Sequence, residues 1–248
     1  MPLSKDQPFL LGLIGNPVEH SRSPQIFERF FSSEGYSHAQ YHLFPLNSVH
    51  ELNELISSQP ALMGFNVTIP FKQDILSILH YISPEALSIG AVNTVKIIRN
   101  RESKTHELHG YNTDYFGFEA SLKELPQKPQ KAIVIGTGGS SKAVTAVLKA
   151  HEIPFSYVSR SMGLTLSETS YSKTLIVNCT PVGMHPKIDE TPLVNLHSFD
   201  NTCTLIDLIY NPDQTLIMKQ CQKNGIFAMN GKRMLQIQAE KAWSIFKS

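Results

Sequence analysis

The chain has 248 residues, which is enough for two modest domains that each bury a hydrophobic core. Its hydrophobic content of 41% and charged content of 17% are those of an ordinary globular protein, and its net charge of +1 gives no electrostatic reason to expect a nucleic-acid or membrane partner. No apolar run reaches the length of a membrane span, no secretory signal segment is expected, and three scattered cysteines without a CxxC pair favour a reducing cytoplasm over disulfides or a zinc site.

The first half of the chain alternates short apolar runs with helical patterns. Strands are predicted at 9–14, 41–46, 61–67, 91–98 and 106–111, and the polar turn between the last two indicates a hairpin. Helices are predicted from Pro24, after Ser48 as the N-cap residue, after Phe71, and from Thr113.

The second half repeats a strand–helix alternation, which predicts a parallel sheet with right-handed crossovers. Strands are predicted at 132–135, 155–158, 174–177 and 204–208, and helices at 142–150, 214–222 and 232–246. The segment between Arg160 and Thr174 is too short and too polar for a full helix and a strand, so we expect a shortened crossover after the second strand of this sheet.

The glycine-rich stretch GTGGSS begins at Gly136, directly after a predicted buried strand and at the start of a helix. This is the context of a phosphate-binding loop. Gly136 permits the tight turn, while Gly138 and Gly139 let backbone amides approach a pyrophosphate at the helix N-terminus. Ser141 replaces the third glycine of the usual fingerprint. The position of the stretch between a strand and a helix, more than its match to the fingerprint, therefore predicts a dinucleotide site.

Arg160 ends the strand that follows the glycine-rich stretch. An NAD enzyme usually carries an acidic residue near this position, to bind the ribose 2′-hydroxyl. An arginine can instead pair with the 2′-phosphate of NADP through charge-assisted hydrogen bonds. The sequence therefore favours NADP, with a solvated surface charge as the alternative interpretation of Arg160.

Two further motifs place ionisable groups behind predicted strands. NVTIPFK ends in Lys72 after an apolar run, and GYNTD ends in Asp114 after another. The reactive groups of open α/β enzymes lie at such strand ends. A lone surface lysine is usually just solvated, but its occurrence with a carboxylate motif and a dinucleotide loop favours a Lys72–Asp114 pair that serves a dinucleotide enzyme.

The motif SRSP offers two hydroxyls, on Ser21 and Ser23, at a predicted helix start. Ser23 could simply cap the helix, or both serines could bind carboxylate or polyol oxygens of a small ligand. Cys179, in NCTPVGM, has no evident His or Asp partner in the sequence, so we do not predict a cysteine nucleophile.

Taken in chain order, nine motifs resemble those of the shikimate dehydrogenase family over essentially the whole chain: GNPVEHSRSP, FNVTIPFK, GAVNTV, GYNTD, GTGGSS, SRS, NCTPVGM, DLIYNP and MLQIQA. The resemblance implies a two-domain α/β fold. An open α/β substrate-binding domain would occupy 1–112, with 226–248 packing back onto it, and a Rossmann-like NADP-binding domain would occupy 113–225. The implied activity is the reversible NADPH-dependent reduction of 3-dehydroshikimate to shikimate in aromatic amino-acid biosynthesis, by a cytoplasmic monomer or homodimer without a metal.

The resemblance also implies roles for individual residues. Lys72 and Asp114 match the catalytic pair. The substrate-binding positions are Ser21, Ser23, Asn66, Thr68, Lys72, Asn93, Asp114, Tyr210 and Gln238. The cofactor-binding positions are Gly136, Thr137, Gly138, Gly139, Ser140, Ser159, Arg160, Ser161, Thr180, Met229 and Gly231. Family members usually carry a second basic residue after the second cofactor strand, whereas Arg160 is followed here by SMGLTLS, so we expect Arg160 alone to discriminate between NADP and NAD.

Three alternatives are weighed against this interpretation. The first is a quinate/shikimate dehydrogenase that uses NAD, which Arg160 and Ser23 disfavour. The second is a non-catalytic ligand sensor on the same scaffold, which the presence of both Lys72 and Asp114 disfavours. The third is a methylenetetrahydrofolate dehydrogenase, whose pterin site the paired serines and Gln238 do not suit.

Overall fold

The computed structural model describes residues 3–100, 105–159, 170–192 and 196–248. The chain divides into two compact units, the first formed by Met1–Thr113 with Gln238–Ser248 and the second by Asp114–Ile237. Arg160 and Ser161, two of the predicted cofactor positions, lie outside the described residues, as does most of the predicted shortened crossover.

The first unit is built around one mixed sheet. Its elements are β1 (Phe9–Gly15), α1 (Ser23–Glu34), β2 (Ala39–Pro45), α2 (Leu52–Ser58), β3 (Leu62–Val67), β4 (Tyr81–Ile82), α3 (Pro84–Ile89), β5 (Thr94–Asn100) and β6 (Thr105–Tyr111). The strand order is β2-β1-β3-β5-β6-β4. Strand β1 runs parallel to β2 and β3, whereas β5 runs antiparallel to β3 and β6, which confirms the antiparallel pairing expected of the hairpin.

Local signals explain two helix ends in this unit, and one predicted helix is wrong. Pro24 lies in the first turn of α1, and Gly35 ends that helix in the left-handed conformation at φ 79°. After Phe71 the chain forms a short 3-10 helix at Asp74–Ile78 instead of the predicted α-helix. The chain enters β4 at Tyr81, and so short a segment has too few residues to stabilise an α-helix.

The second unit is built around a fully parallel sheet. Its elements are α4 (Asp114–Lys123), β7 (Lys131–Ile135), α5 (Gly139–Ala150), β8 (Phe155–Val158), β9 (Thr174–Asn178), β10 (Thr204–Asp207), α6 (Leu216–Lys223), β11 (Phe227–Met229) and α7 (Lys232–Lys247), the last of which contributes residues from Gln238 onward to the first unit. The strand order is β11-β10-β9-β7-β8, with every neighbouring pair parallel. This confirms the parallel sheet, while β11 was not predicted.

Each sheet carries a hydrophobic core on both faces. In β1 the alternation of side chains sends Leu10 and Ile14 into a core with α2, and Leu11 and Leu13 into a core with α1 and the end of α7. Trp243 of α7 packs edge-on to Phe31 of α1, with ring centroids 5.4 Å apart. The last turns of α7 are therefore part of the first unit's core.

In the second unit, α4 and α5 pack on one face of the sheet and α6 packs on the other. The strands are consequently buried on both faces, which explains their nearly continuous apolar sequences. Cys203 and Cys221 lie inside this core, where burial raises the pKa of both thiols, that of Cys221 to about 12. Such thiols are poor nucleophiles.

None of the helices in the described part of the chain has the length and apolar character needed to span a bilayer. Over the same residues, no cluster of three or more histidine, cysteine or acidic side chains could hold a metal ion.

Candidate active site

A buried chain of amides and hydroxyls extends across the first unit from Tyr41 to Gln238. The Tyr41 hydroxyl donates to Asn66 Oδ1 at 2.9 Å, and Asn66 Nδ2 donates to Thr94 Oγ1 at 3.1 Å. The Thr94 hydroxyl then donates to Asn93 Oδ1 at 3.1 Å. Asn66 thus accepts through its amide oxygen on one side and donates through its amide nitrogen on the other, so its neighbours fix the orientation of this amide.

The same chain continues through Asn93 to the last helix. Asn93 Nδ2 donates to Thr113 Oγ1 at 3.0 Å, and that hydroxyl lies 3.5 Å from Gln238 Oε1. The backbone N–H of Thr113 also donates to Asn93 Oδ1 at 2.7 Å. We call these side chains the amide–hydroxyl chain; its members are Tyr41, Asn66, Thr94, Asn93, Thr113 and Gln238.

The structure thus brings together three of the predicted substrate residues, Asn66, Asn93 and Gln238, and adds three that the sequence analysis missed. Thr94 and Thr113 lie inside the motifs GAVNTV and GYNTD, so the sequence could have indicated them as site residues. Tyr41 lies in an ordinary strand sequence and carries no such signal.

Lys72 follows β3 on a short turn that the core anchors. Phe71 is 4% exposed, and its backbone N–H donates to the Thr68 carbonyl at 3.0 Å. The Lys72 carbonyl accepts from the backbone N–H of Val92 at 2.8 Å. The half-buried Lys72 is therefore tied by its backbone to the segment that carries Asn93, and the half-buried Thr68 lies in the same turn.

Ser21 and Ser23 lie close together at the start of α1. Their hydroxyl oxygens are 3.1 Å apart, and the backbone N–H of Ser23 donates to Ser21 Oγ at 3.2 Å. Arg22 occupies the N-cap position, with no side-chain capping bond, and Ser23 is already the first helical residue. The alternative role of Ser23 as the N-cap residue is therefore wrong.

The loops that carry the serines and Lys72 belong to the same edge of the sheet. Asn16, directly after β1, donates its backbone N–H at 2.9 Å to the carbonyl of Ile69, which lies two residues after the end of β3. Because β1 and β3 are parallel, their carboxyl ends lie at one edge of the sheet. That edge is where ligands bind in open α/β sheets.

Asp114 is the first residue of α4, in the second unit, and is 5% exposed. The aligned peptide dipoles at the N-terminus of a helix stabilise a negative charge there. Its neighbour Thr113 belongs to the amide–hydroxyl chain of the first unit.

The glycine-rich loop of the second unit lies between β7 and α5. Gly136 has φ 98°, in the left-handed region, and a side-chain carbon placed on it would come within 2.8 Å of Thr180 Cγ2. A side-chain carbon on Gly138 would meet no protein atom within 4 Å. The buried Ser141 hydroxyl donates to the Gly138 carbonyl at 2.6 Å, so the serine in the third fingerprint position braces the loop from the protein side. The loop leaves an open, glycine-lined space at the N-terminus of α5, which fits a pyrophosphate group.

The other predicted cofactor residues lie at or after the carboxyl ends of the same parallel strands. Thr137 and Ser140 belong to the glycine-rich loop and the first turn of α5, where Gly139 is the first helical residue. Ser159 follows β8, Thr180 follows β9, and Met229 and Gly231 end or follow β11. Tyr210, which was predicted as a substrate residue, follows β10. The backbone N–H of Gly231 donates to the Ile209 carbonyl at 3.0 Å, which ties the loops after β10 and β11 together.

Two open cavities of about 500 and 670 Å3 lie in the first unit, beside His50. No predicted site residue lines either of them.

The chain is similar to known proteins over almost its full length. The family model for the shikimate dehydrogenase substrate binding domain matches residues 13–95. A shikimate dehydrogenase (NADP+) of Clostridium beijerinckii is 39% identical, with 95% of this chain and 91% of the relative covered. The enzyme of the same name from Methanococcus aeolicus is 34% identical, with coverages of 96% and 91%.

Two solved structures show the same likeness in three dimensions. A crystal structure of a shikimate dehydrogenase in complex with NADP+ matches with a TM-score of 0.83 at 32% identity, covering 96% of this chain and 90% of that chain. The enzyme of Thermus thermophilus in complex with NADP(H) and shikimate matches with a TM-score of 0.78 at 29% identity, with coverages of 96% and 93%.

Proposed function

The chain belongs to the shikimate dehydrogenase family and is an NADP-dependent shikimate dehydrogenase, and on this premise we propose that Lys72 and Asp114 form its proton-transfer pair. The observation that carries the proposal is the position of Lys72. It lies at the carboxyl edge of the first sheet, and its carbonyl accepts from the backbone N–H of Val92, next to Asn93 of the amide–hydroxyl chain. A cation at that edge can reach a ligand whose hydroxyls are bound by the neighbouring amides.

Reduction of 3-dehydroshikimate to shikimate adds a hydride to the ketone carbon and a proton to its oxygen. Bound NADPH supplies the hydride. The Lys72 ammonium donates the proton to the ketone oxygen, or stabilises the negative charge that develops there, and the neutral amine takes the proton back in the reverse direction. We assign to Asp114 the orientation of Lys72 and a hydrogen bond from the neighbouring ring hydroxyl.

We propose that the substrate carboxylate is bound by Ser21 and Ser23, whose hydroxyls lie 3.1 Å apart and can each donate to one carboxylate oxygen. The ring hydroxyls are assigned to a set of polar residues that includes the two fixed amides: Asn66, Thr68, Asn93, Tyr210 and Gln238. Because the orientations of Asn66 and Asn93 are set by the amide–hydroxyl chain, these groups lose little conformational freedom when the substrate binds.

We assign NADP to the second unit. The open space at Gly138 and the N-terminus of α5 suit the pyrophosphate, and this assignment extends along the strand ends to Gly136, Thr137, Gly139, Ser140, Ser159, Thr180, Met229 and Gly231. Arg160 and Ser161 are proposed for the 2′-phosphate from the sequence alone. The proposed substrate-binding domain is 1–112 with 226–248 packing back onto it, and the proposed NADP-binding domain is 113–225. Asp114 and Tyr210 of the second domain are nevertheless assigned to the substrate, and Met229 and Gly231 to NADP.

We further propose that the enzyme is a cytoplasmic monomer or homodimer. The cytoplasmic location is supported by the three cysteines, none of which forms a disulfide in the described part of the chain and two of which are buried in the core of the second unit.

The test of the function is a spectrophotometric assay of the purified protein, with shikimate or quinate as the substrate and NADP or NAD as the cofactor. We expect shikimate-dependent reduction of NADP to be the fastest of the four reactions. Faster reaction with quinate and NAD would support the quinate/shikimate alternative instead. No turnover with any pair, in a protein whose circular dichroism shows it to be folded, would support the ligand sensor.

The test of the proton-transfer pair is Lys72→Met in the same assay, with Lys149→Met on the exposed last turn of α5 as the matched control. The Lys72 variant should lose turnover while the Lys149 variant keeps it. Equal turnover in both variants would show that another group moves the proton.

A further inference from the structure

A buried carboxylate joins three segments at the carboxyl edge of the second sheet. Asp207, the last residue of β10, is fully buried. Its Oδ1 accepts from Asn178 Nδ2 at 3.0 Å and from the backbone N–H of Ile209 at 3.1 Å, and its Oδ2 accepts from the Thr215 hydroxyl at 2.5 Å. The donors come from the end of β9, the loop after β10, and the residue that precedes α6.

Asn178 connects Asp207 to the loop that follows β9 and carries Thr180. Its Nδ2 points at Asp207, so its Oδ1 faces the opposite way and accepts from the backbone N–H of Thr180 at 3.0 Å and from the Thr180 hydroxyl at 2.7 Å. The Thr180 hydroxyl in turn accepts from the backbone N–H of Val182 at 3.2 Å. The orientation of one amide, set by Asp207, thus determines the position of Thr180.

Thr180 lies against the glycine-rich loop. Its Cγ2 is close enough to Gly136 that a side-chain carbon there would come within 2.8 Å of it. A shift of Thr180 would therefore displace the turn at Gly136, with which the proposed pyrophosphate site begins.

Placing a carboxyl group in this position is energetically unfavourable unless its bonds compensate. Burial raises the pKa of Asp207, and the hydrogen bonds from Thr215, Ile209 and Asn178 act in the opposite direction. Its partners hold the strand ends and loops from which Thr180 and Tyr210 come, rather than the interior of the sheet.

We propose that Asp207 is a positioning residue for NADP, acting through Asn178 on Thr180 and through Thr215 on the start of α6. The inference rests on the proposed function, because it takes Thr180 to be a cofactor residue. Loss of the Asp207–Asn178 bond is expected to weaken NADP binding more than shikimate binding, because the loop that carries the substrate residue Tyr210 is held by the separate bond from the Ile209 backbone N–H.

The first test removes one hydroxyl at each end of the second sheet. Thr215→Val deletes the donor to Asp207 Oδ2. Thr174→Val is the matched control, because Thr174 is also buried, donates to the Ser172 carbonyl at 2.8 Å, and lies at the opposite end of β9. We expect Thr215→Val to raise the KM for NADP by roughly 3- to 10-fold, the range for part of one charge-assisted hydrogen bond. Both variants should lower the melting temperature, Thr215→Val by more because its lost partner is a buried carboxylate, and only Thr215→Val should change the KM for NADP.

The second test changes polarity without changing shape. Asn178→Asp keeps the acceptor for Thr180 but places a second carboxylate oxygen 3.0 Å from Asp207 Oδ1, where two like charges repel. Combining it with Asp207→Asn restores a donor–acceptor pair between the two positions, at the expense of the bond from Ile209. We expect the single variant to raise the KM for NADP at least roughly 10-fold and the double variant to recover part of that loss.

The outcomes separate the inference from the proposed function. A wild-type protein without shikimate-dependent NADP reduction contradicts the proposed function. Active wild type with equal effects of Thr215→Val and Thr174→Val on the KM for NADP overturns the inference. So does an Asn178→Asp variant that raises the KM for shikimate as much as that for NADP, or a double variant that shows no recovery.

Discussion

Gly138 offers a substitution that should separate stability from cofactor binding. Its backbone has φ −76° and ψ −176°, an extended conformation that alanine adopts without strain. The added methyl group of Gly138→Ala would meet no protein atom within 4 Å. The free energy of unfolding should therefore stay the same or rise by about 0.4–1 kcal/mol, since alanine has less freedom than glycine in the unfolded chain.

Cofactor binding should respond in the opposite direction. The new methyl group occupies the open space that lets the backbone approach the pyrophosphate, so at least one charge-assisted contact is lost. Such a contact is worth about 1.5–3 kcal/mol, which corresponds to a rise in the KM for NADP of roughly 10- to 150-fold. The KM for shikimate should change little, because most of the residues assigned to the substrate lie in the first unit and none lies in this loop.

Gly136→Ala is the control. It introduces the same methyl group into the same loop, but at a residue whose backbone conformation and surroundings do not accommodate it. At φ 98° and with Thr180 Cγ2 only 2.8 Å from the new carbon, alanine there is strained, and the unfolding free energy should fall by about 1–3 kcal/mol. Urea unfolding of both variants measures the change in unfolding free energy, and NADP titration in the activity assay measures the change in the KM for NADP. A Gly138→Ala protein with wild-type stability and a wild-type KM for NADP would refute the assignment of this loop to the pyrophosphate.

The first unit yields three further predictions. Lys72→Met should lower kcat roughly 10²- to 10⁴-fold, with shikimate binding measured by calorimetry nearly unchanged; near-normal turnover would exclude it as the proton donor. Ser21→Ala and Ser23→Ala should each raise the KM for shikimate by the equivalent of about 0.5–1.5 kcal/mol while keeping kcat, and an unchanged KM in the double variant would place the carboxylate elsewhere. Tyr41→Phe removes the donor to the buried Asn66 Oδ1, so urea unfolding should show a loss of about 1–3 kcal/mol together with a higher KM for shikimate; unaltered values of both would show that Asn66 is oriented without it.

Much of the fold could be predicted because the relevant information is local. The apolar runs of β7, β9 and β10 stand out because strands of a parallel sheet are buried on both faces, and the glycine-rich stretch is recognisable because it lies between such a run and a helix. The paired serines and the lysine after β3 were likewise readable as short motifs. All of these features depend on residues close together in the chain.

Other features depended on pairings between distant residues. Strand β11 has three residues and β4 has two, and neither carries a periodic pattern of its own; each exists because a neighbouring strand offers it hydrogen bonds. The apolar pattern after Phe71 indicates an α-helix, but the chain has to reach β4 and forms a 3-10 helix instead.

The sequence by itself determined where the strand ends and the candidate chemical groups lie along the chain. Only the tertiary structure decided which polar groups hold them in place, as with Tyr41 and Asn66, 25 positions apart, or Asn178 and Asp207, 29 positions apart. A buried amide or carboxylate takes its hydrogen-bond partners from whichever residues the strand register brings beside it. Strand register results from packing the whole sheet, so no local pattern encodes those partners.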